Sequence, residues 1–195
     1  KNLSWGIDLN GNSIELKNPW FLRELQNRIN AVKSKRDRCL KKSQRKETEQ
    51  GKEYWNPSRR WTYLNRILQE LQWKRREQTK SYLYGLAHFL YKQYDLVSVG
   101  DYTPSFLRCH GEELTRSMRR EMFNQSVIGR FKKTLEWVAK KSGKHFMEWD
   151  EYCSTRTCSY CQFQLPAGLD PSVRFWDCPG CSRKLLRDEN SARNG

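Results

Sequence analysis

The sequence predicts an α/β chain with an inserted basic helical hairpin and a cysteine-rich metal ribbon. Three observations lead there. Short apolar runs of strand length alternate with longer segments of helical periodicity. One stretch, from Trp20 to Lys80, holds 18 basic and 7 acidic residues and so carries +11 of the formal +15. Two Cys-x-x-Cys pairs are separated by 16 residues, the spacing of a four-thiolate site.

Residues 3–9, Leu-Ser-Trp-Gly-Ile-Asp-Leu, read as a short buried strand, and Asn10-Gly11-Asn12 as the turn that ends it. Ile14 to Leu16 offers a second strand, although the short interval after Asp8 leaves little room for a hairpin. From Pro19, a residue suited to a helix start, Leu22, Leu25, Ile29 and Val32 recur at helical spacing. Residues 33–56 are polar and predict an exposed turn. A second helix is expected over 58–94, with Leu64, Ile67, Leu71, Leu83, Leu86 and Leu90 on its apolar side. Residues 95–101 form the next strand, ended by Thr103-Pro104, and a polar loop reaches Arg116. Residues 117–141 read as a helix with Met122, Ile128, Phe131, Leu135 and Val138 inward, and Gly143 as its stop. His145, Met147 and Trp149 suit one face of a further strand. A polar helix begins at about Leu186.

The charge excess favours a polyanionic partner, nucleic acid above all, over a merely solvated helical surface. Arg23, Arg28, Arg59, Arg60, Lys74, Arg75 and Arg76 on the hairpin are the candidate phosphate contacts. Trp55, Trp61 and Trp73 are expected in the core, with base stacking as the second reading. His88, His110 and His145 have no ligand-like partner. No apolar run reaches membrane-spanning length, and no secretory signal pattern is present.

Cys158, Cys161, Cys178 and Cys181 predict a closed tetrahedral zinc site, structural because four thiolates leave no open position. Cys153 is a rival ligand at poorer spacing; Cys39 and Cys109 suit packing. Seven cysteines used this way fit a reducing compartment. Three acids stand out besides. Asp8 lies within an apolar strand, Asp101 ends another, and Asp188 follows the ribbon. Buried carboxylates are costly unless neutralised, and clustered ones suit a pair of divalent ions in phosphodiester hydrolysis. Taken singly, each has a plainer reading as a turn former or helix cap.

Together, Gly6-Ile7-Asp8-Leu9, Val99-Gly100-Asp101, the ribbon introduced by Thr155-Arg156-Thr157, and the closing Arg187-Asp188-Glu189-Asn190-Ser191-Ala192-Arg193-Asn194 resemble the TnpB family. These transposon-encoded nucleases are related to Fanzor proteins and type V CRISPR effectors. The resemblance implies an RNase H-like (RuvC) nuclease core over 1–152 with the basic hairpin at about 20–94. A zinc ribbon over 153–185 and a final RuvC segment over 186–195 follow. It implies an Mg2+-dependent DNA endonuclease directed by a guide RNA, with Asp8 first and Asp188 last among its catalytic acids. The middle acid is Glu151 or Asp101: Glu stands elsewhere in the family where Asp101 stands here, and some branches carry the acid just before the ribbon. Its partners are guide RNA and target DNA, in a prokaryotic cytoplasm or a nucleus. The chain opens at Lys1 and reads as part of a longer protein, with guide- and target-binding domains expected before it or on a partner. The competing readings are a nuclease-inactive RNA-guided repressor and a bare zinc-ribbon nucleic-acid-binding module.

Overall fold

A computed structural model describes residues 2–101, 127–170 and 172–195. Two compact units emerge, residues 19–82 and the remainder of the chain, and each is described by itself.

The first unit is helical. Helix α1, Phe21–Cys39, buries Leu25 and Ile29, and the first part of helix α2, Arg59–Gln93, buries Leu68. Arg36 of α1 donates to Asn65 Oδ1 at 2.9 Å and lies 5.5 Å from the Trp61 ring centre, so the two helices are tied side by side. The polar stretch between them is not a simple turn. A short 3-10 segment, Leu40–Lys42, leads into strands β3 (Gln44–Glu47) and β4 (Glu53–Asn56), which pair antiparallel. Almost every residue of this hairpin is exposed, so cross-strand pairs hold it rather than a buried face. Arg45 sits opposite Trp55 with its guanidinium 5.1 Å from that ring. The expectation of core tryptophans is corrected here. Trp55 and Trp73 are 55% and 60% exposed, and only Trp61 is half-buried.

The second unit is mixed α/β. Strands β1 (Asn2–Ile7) and β2 (Ser13–Lys17) form an antiparallel hairpin, closed by a tight turn over 8–12. That turn fits because Asp8 organises it: Asp8 Oδ1 accepts from the amides of Asn10 and Asn12, and Oδ2 from Asn12 Nδ2. Asp8 therefore follows the strand instead of lying inside it, and is half-buried. Strand β5, Leu96–Gly100, pairs in parallel with β6, His145–Trp149, and helix α3, Ile128–Ser142, belongs to the crossover between them. Phe131, Leu135 and Val138 of α3 are buried, as are Leu83, Ala87, Leu90 and Tyr91 at the end of α2. Tyr84 meets Trp137 edge to face, joining the two helices. Gly143, at φ 66°, ends α3 in the left-handed conformation expected of a glycine stop. Met147, on the same face of β6 as His145 and Trp149, is 52% exposed.

Strands β7 (Phe175–Asp177) and β8 (Lys184–Leu186) pair antiparallel within the cysteine-rich segment, and helix α4, Arg187–Arg193, follows at once. Among the described residues every sheet is two-stranded, so no continuous five-stranded RNase H-like sheet is seen. The helix expected over 117–141 lies partly outside the described residues, as do Thr103, Pro104, Cys109 and His110.

Candidate metal centre and acidic site

The four predicted cysteines converge. Their sulfur atoms all lie within 4.8 Å of one another, and among the described residues they are the one such group of three or more potential metal ligands. Cys158 and Cys181 sulfurs are 3.8 Å apart, Cys161 and Cys178 sulfurs 3.5 Å. A tetrahedral ion with metal–sulfur bonds of about 2.3 Å needs sulfurs about 3.8 Å apart, so the donors fit zinc. Two equivalent backbone turns produce this arrangement. The Cys158 amide donates to Phe163 O and the Gln162 amide to Cys158 O; Cys178, Arg183 and Ser182 repeat both bonds. Gln162 and Ser182, each just after the second cysteine of its pair, adopt φ of 62° and 57°, a conformation that costs a non-glycine residue about 1–2 kcal/mol. At Gly180 a side chain would press on Phe163 of the opposite turn, so glycine lets the two turns close. Trp176 and Leu185 pack behind the buried Cys158 and Cys178.

Burial opposes the Cys158 thiolate, but amide bonds from Cys161 and Tyr160 outweigh it and bring that thiol to about 7. Cys161 accepts a stabilising backbone bond at Phe163, yet burial and three neighbouring thiols push it to about 12. Four thiols this close cannot all ionise alone; a divalent cation removes that conflict. Cys153 stays outside the group. Its Sγ accepts from Arg156 at 2.8 Å, which removes it as a rival ligand.

The acids occupy three places in the same unit. Asp101 and Glu151, the two candidates for one role, are neighbours at the carboxyl end of the parallel pair. The Asp101 amide extends the ladder to Trp149 O at 2.8 Å, and Asp101 Oδ1 accepts the Glu151 amide at 3.2 Å. Gly100 makes this possible, since any side chain there would collide with the Glu151 carboxyl group. Burial, then the Asp101 charge, raise the Glu151 pKa above its ordinary value, and Lys132 pulls it back. Lys132 is 8% exposed and donates to Gly100 O at 3.1 Å and to Glu148 Oε2 at 2.8 Å. Nothing in the sequence singled it out; its partners lie 32 and 16 residues away.

Asp8 is spent on its own turn, and hydrogen bonds from Asn12, opposed by slight desolvation, hold its pKa below the usual value. Asp188 lies in the first turn of α4, where it meets two arginines: Arg174 Nη1 at 2.7 Å on Oδ2, and Arg187 Nε and Nη2 at 3.1 Å on Oδ1. As placed, Asp8, Asp101, Glu151 and Asp188 do not make one divalent-cation pocket, and they do not fit Mg2+ in this arrangement.

Helix α4 connects these places. Asn190, 2% exposed, accepts the Ser159 amide and donates to Thr157 O, while Asn194 donates to Thr157 O and Ser154 O. Ser191 and Ser154 hydroxyls meet at 2.7 Å, and Arg193 donates to Gly11 O at 3.1 Å in the Asp8 turn. Asn190 was legible only as part of a motif; its role as the buried hub was not.

Residues 129–195, the α3 to α4 region, match the family model described as Cas12f1-like, TNB domain. Three TnpB-like proteins of Acanthamoeba polyphaga mimivirus are each 28% identical to the chain over 138 residues, 70% of its length. The chain is related to the TnpB and Cas12 proteins. It spans about a quarter of the TnpB-like relatives, 26% of the first. A solved Cas12f1-sgRNA-target DNA complex is also similar, at 14% identity and a TM-score of 0.47, over 73% of this chain and 43% of that one. The seven candidate phosphate contacts of this TnpB/Cas12-related chain lie in the helical unit: Arg23, Arg28, Arg59, Arg60, Lys74 and Arg76 are exposed, while Arg75 is half-buried. No helix among the described residues is long and apolar enough to cross a membrane.

Proposed function

We propose that this chain is the nuclease part of an RNA-guided DNA endonuclease of the TnpB type, built on a RuvC core interrupted by a structural zinc ribbon. The observation that carries the reading is the ribbon followed directly by α4. That region matches the Cas12f1-like TNB model, and the wider chain aligns with TnpB-like proteins. Cys158, Cys161, Cys178 and Cys181 hold the zinc, whose task is to fix the ribbon against α4.

Asp8, Glu151 and Asp188 are the working acids in this proposal. Asp101 shares the place of Glu151 as an auxiliary. Magnesium belongs to the reading as the ion that such acids use in phosphodiester hydrolysis. It requires these carboxylates to gather closer than they stand here. The guide RNA selects the target by pairing, while Arg23, Arg28, Arg59, Arg60, Lys74 and Arg76 meet the phosphates of the duplex. Arg75 contributes more to the helix packing than to that surface. The chain works on DNA in a bacterial cytoplasm or a nucleus, as part of a longer protein or with a partner that supplies the guide-binding domains.

A second reading, an RNA-guided DNA binder that no longer cuts, draws on the two arginines that hold Asp188. One comparison separates the two. In the whole protein loaded with its RNA, Asp8→Ala and Asp188→Ala abolish cleavage of a guided target and leave RNA binding unchanged. Cleavage that persists in both variants would falsify the assigned roles. A wild-type protein that binds guided DNA without cutting it supports the second reading.

A further inference from the structure

We propose that one face of the β3–β4 hairpin, formed by Gln44, Lys46, Tyr54 and Asn56, binds unpaired RNA by stacking one base on Tyr54. The proposal rests on the RNA-guided reading above and adds a stacking surface to the phosphate contacts of the helices.

In an antiparallel pair, residues that stand opposite each other point to the same side. Gln44 pairs with Asn56 and Lys46 with Tyr54, so these four share one face, while Arg45, Glu47, Glu53 and Trp55 share the other. The two faces differ in chemistry. The second satisfies itself: Arg45 lies 5.1 Å from the Trp55 ring centre and 3.5 Å from a Glu53 carboxylate oxygen. The first carries no acid, and among the described residues none of its four side chains has a hydrogen-bonding or ionic partner. Tyr54 is 47% exposed there.

An open ring beside a free ammonium, between two carboxamides, matches a nucleotide part by part. The ring stacks on a base, and Lys46 meets a phosphate. The carboxamides of Gln44 and Asn56 both donate and accept, which suits a 2′-hydroxyl as well as a base edge. That last point selects RNA over DNA. A protein partner fits less well, because four side chains cover far less than the roughly 800 Å² per partner of a stable interface. The surrounding charge agrees. Lys41 and Lys42 before β3, and Arg59 and Arg60 after β4, are exposed at the base of the hairpin, while Glu47, Glu49 and Glu53 lie toward its tip. A polyanion is therefore drawn to the base, along the acid-free face.

The test uses the whole zinc-loaded chain and three labelled probes, decauridine, deca-deoxyuridine and a blunt RNA duplex, read by fluorescence anisotropy. Tyr54→Val, which keeps a strand former but removes the ring, weakens decauridine about tenfold. Tyr54→Phe stays within about twofold of wild type, and Lys46→Ala lowers the slope of log affinity against log salt by about 0.7. Wild type prefers decauridine to deca-deoxyuridine about fivefold, and the double variant Gln44→Ala, Asn56→Ala removes that preference. The duplex, whose bases are already stacked, loses less than about twofold with Tyr54→Val. NMR contacts between the Arg45 and Trp55 side chains report that the hairpin is intact in each variant. With the hairpin intact, equal binding of decauridine by wild type and Tyr54→Val overturns the stacking surface and leaves the RNA-guided reading standing. A loss in Tyr54→Phe as large as in Tyr54→Val overturns it too, and equal wild-type affinity for the two decamers overturns the choice of RNA. A wild-type chain that binds none of the three probes overturns both readings.

Discussion

Replacing Asn190 with alanine removes the buried side chain that joins α4 to the start of the ribbon. Its Oδ1 accepts the Ser159 amide at 2.9 Å, and its Nδ2 donates to Thr157 O at 2.7 Å. A longer Nδ2 contact at 3.4 Å reaches Ser154 O, which like Thr157 O also receives Asn194, so the bonds differ in what their loss leaves behind. Thr157 O keeps a second donor, Asn194 Nδ2 at 2.8 Å, so that carbonyl stays paired. The Ser159 amide has no such substitute, and an orphaned donor in a partly buried place costs about 1–3 kcal/mol. The expected cost is about 2 kcal/mol, or about thirtyfold in local opening. Hydrogen exchange of the Cys158 amide reads it cleanly, because that amide's own bond to Phe163 O is untouched. Asn194→Ala, which leaves Thr157 O in the hands of Asn190, costs less than about 1 kcal/mol. The double variant exceeds the sum, since it strips both asparagine donors from the carbonyls of Thr157 and Ser154. An Asn190→Ala effect below about threefold, or strict additivity, would refute this account.

Removing the metal with a chelator unfolds the ribbon and α4 together, while amides of α3 in the helical core stay protected; the purified chain binds one zinc, and Cys153→Ser leaves that stoichiometry intact. Gly100→Ala pushes its methyl group against the Glu151 carboxyl group, which swings aside, so the NMR signals of Glu151 shift while the thermal midpoint changes by less than about 1 kcal/mol equivalent. Glu151 carries a raised pKa, so the folded state binds its proton more tightly and stability falls as pH rises from its unfolded value through its folded one. Glu151→Gln therefore stabilises the chain at pH 7 and has no effect well below pH 4.5, which denaturant midpoints at the two pH values check. Asp8 has the opposite sign: its stabilising contribution is present above its unfolded pKa and lost as pH falls through the lowered one. Asn12→Ala moves the Asp8 carboxyl titration, followed by NMR, upward toward its ordinary value.

How legible each feature was depended on how locally it is determined. The ribbon could be read because each Cys-x-x-Cys pair closes within one turn of backbone, and the helices because their apolar spacing repeats over many residues. The β3–β4 hairpin escaped because period-two reading looks for a buried face, and here Gln44–Glu47 has none. Thr48 and Gly51 set its turn, and Arg45 against Trp55 gives the cross-strand contact. The β1–β2 hairpin was judged too tight for the opposite reason: the side chain of Asp8 supplies the turn bonds that backbone length alone did not promise. At the acidic site, Asp101 was legible as the end of its strand and Glu151 only through the family resemblance. The burial of Lys132 and the pairing of Arg174 with Asp188 were not legible, since both join residues that only tertiary folding brings together.

Helix α4 is seven residues long, too short to hold its shape alone in water. Its order must come from what it touches, and those contacts run in three directions. Asn190 and Asn194 hold the carbonyls of Ser154 and Thr157, Arg193 holds Gly11 O, and the terminal Gly195 lies against the Trp149 ring at the end of β6. The ribbon thus supplies one wall of the seat on which Asp188 depends, and the Asp8 turn and the end of the parallel pair supply the others. Four thiolates leave a metal no open position for chemistry, so an ion held by these cysteines would act by steadying the ribbon against which α4, and with it Asp188, is seated. The cysteine cluster and α4 are therefore mechanically coupled: loosening any of these contacts of α4 moves Asp188 relative to both Asp8 and Glu151.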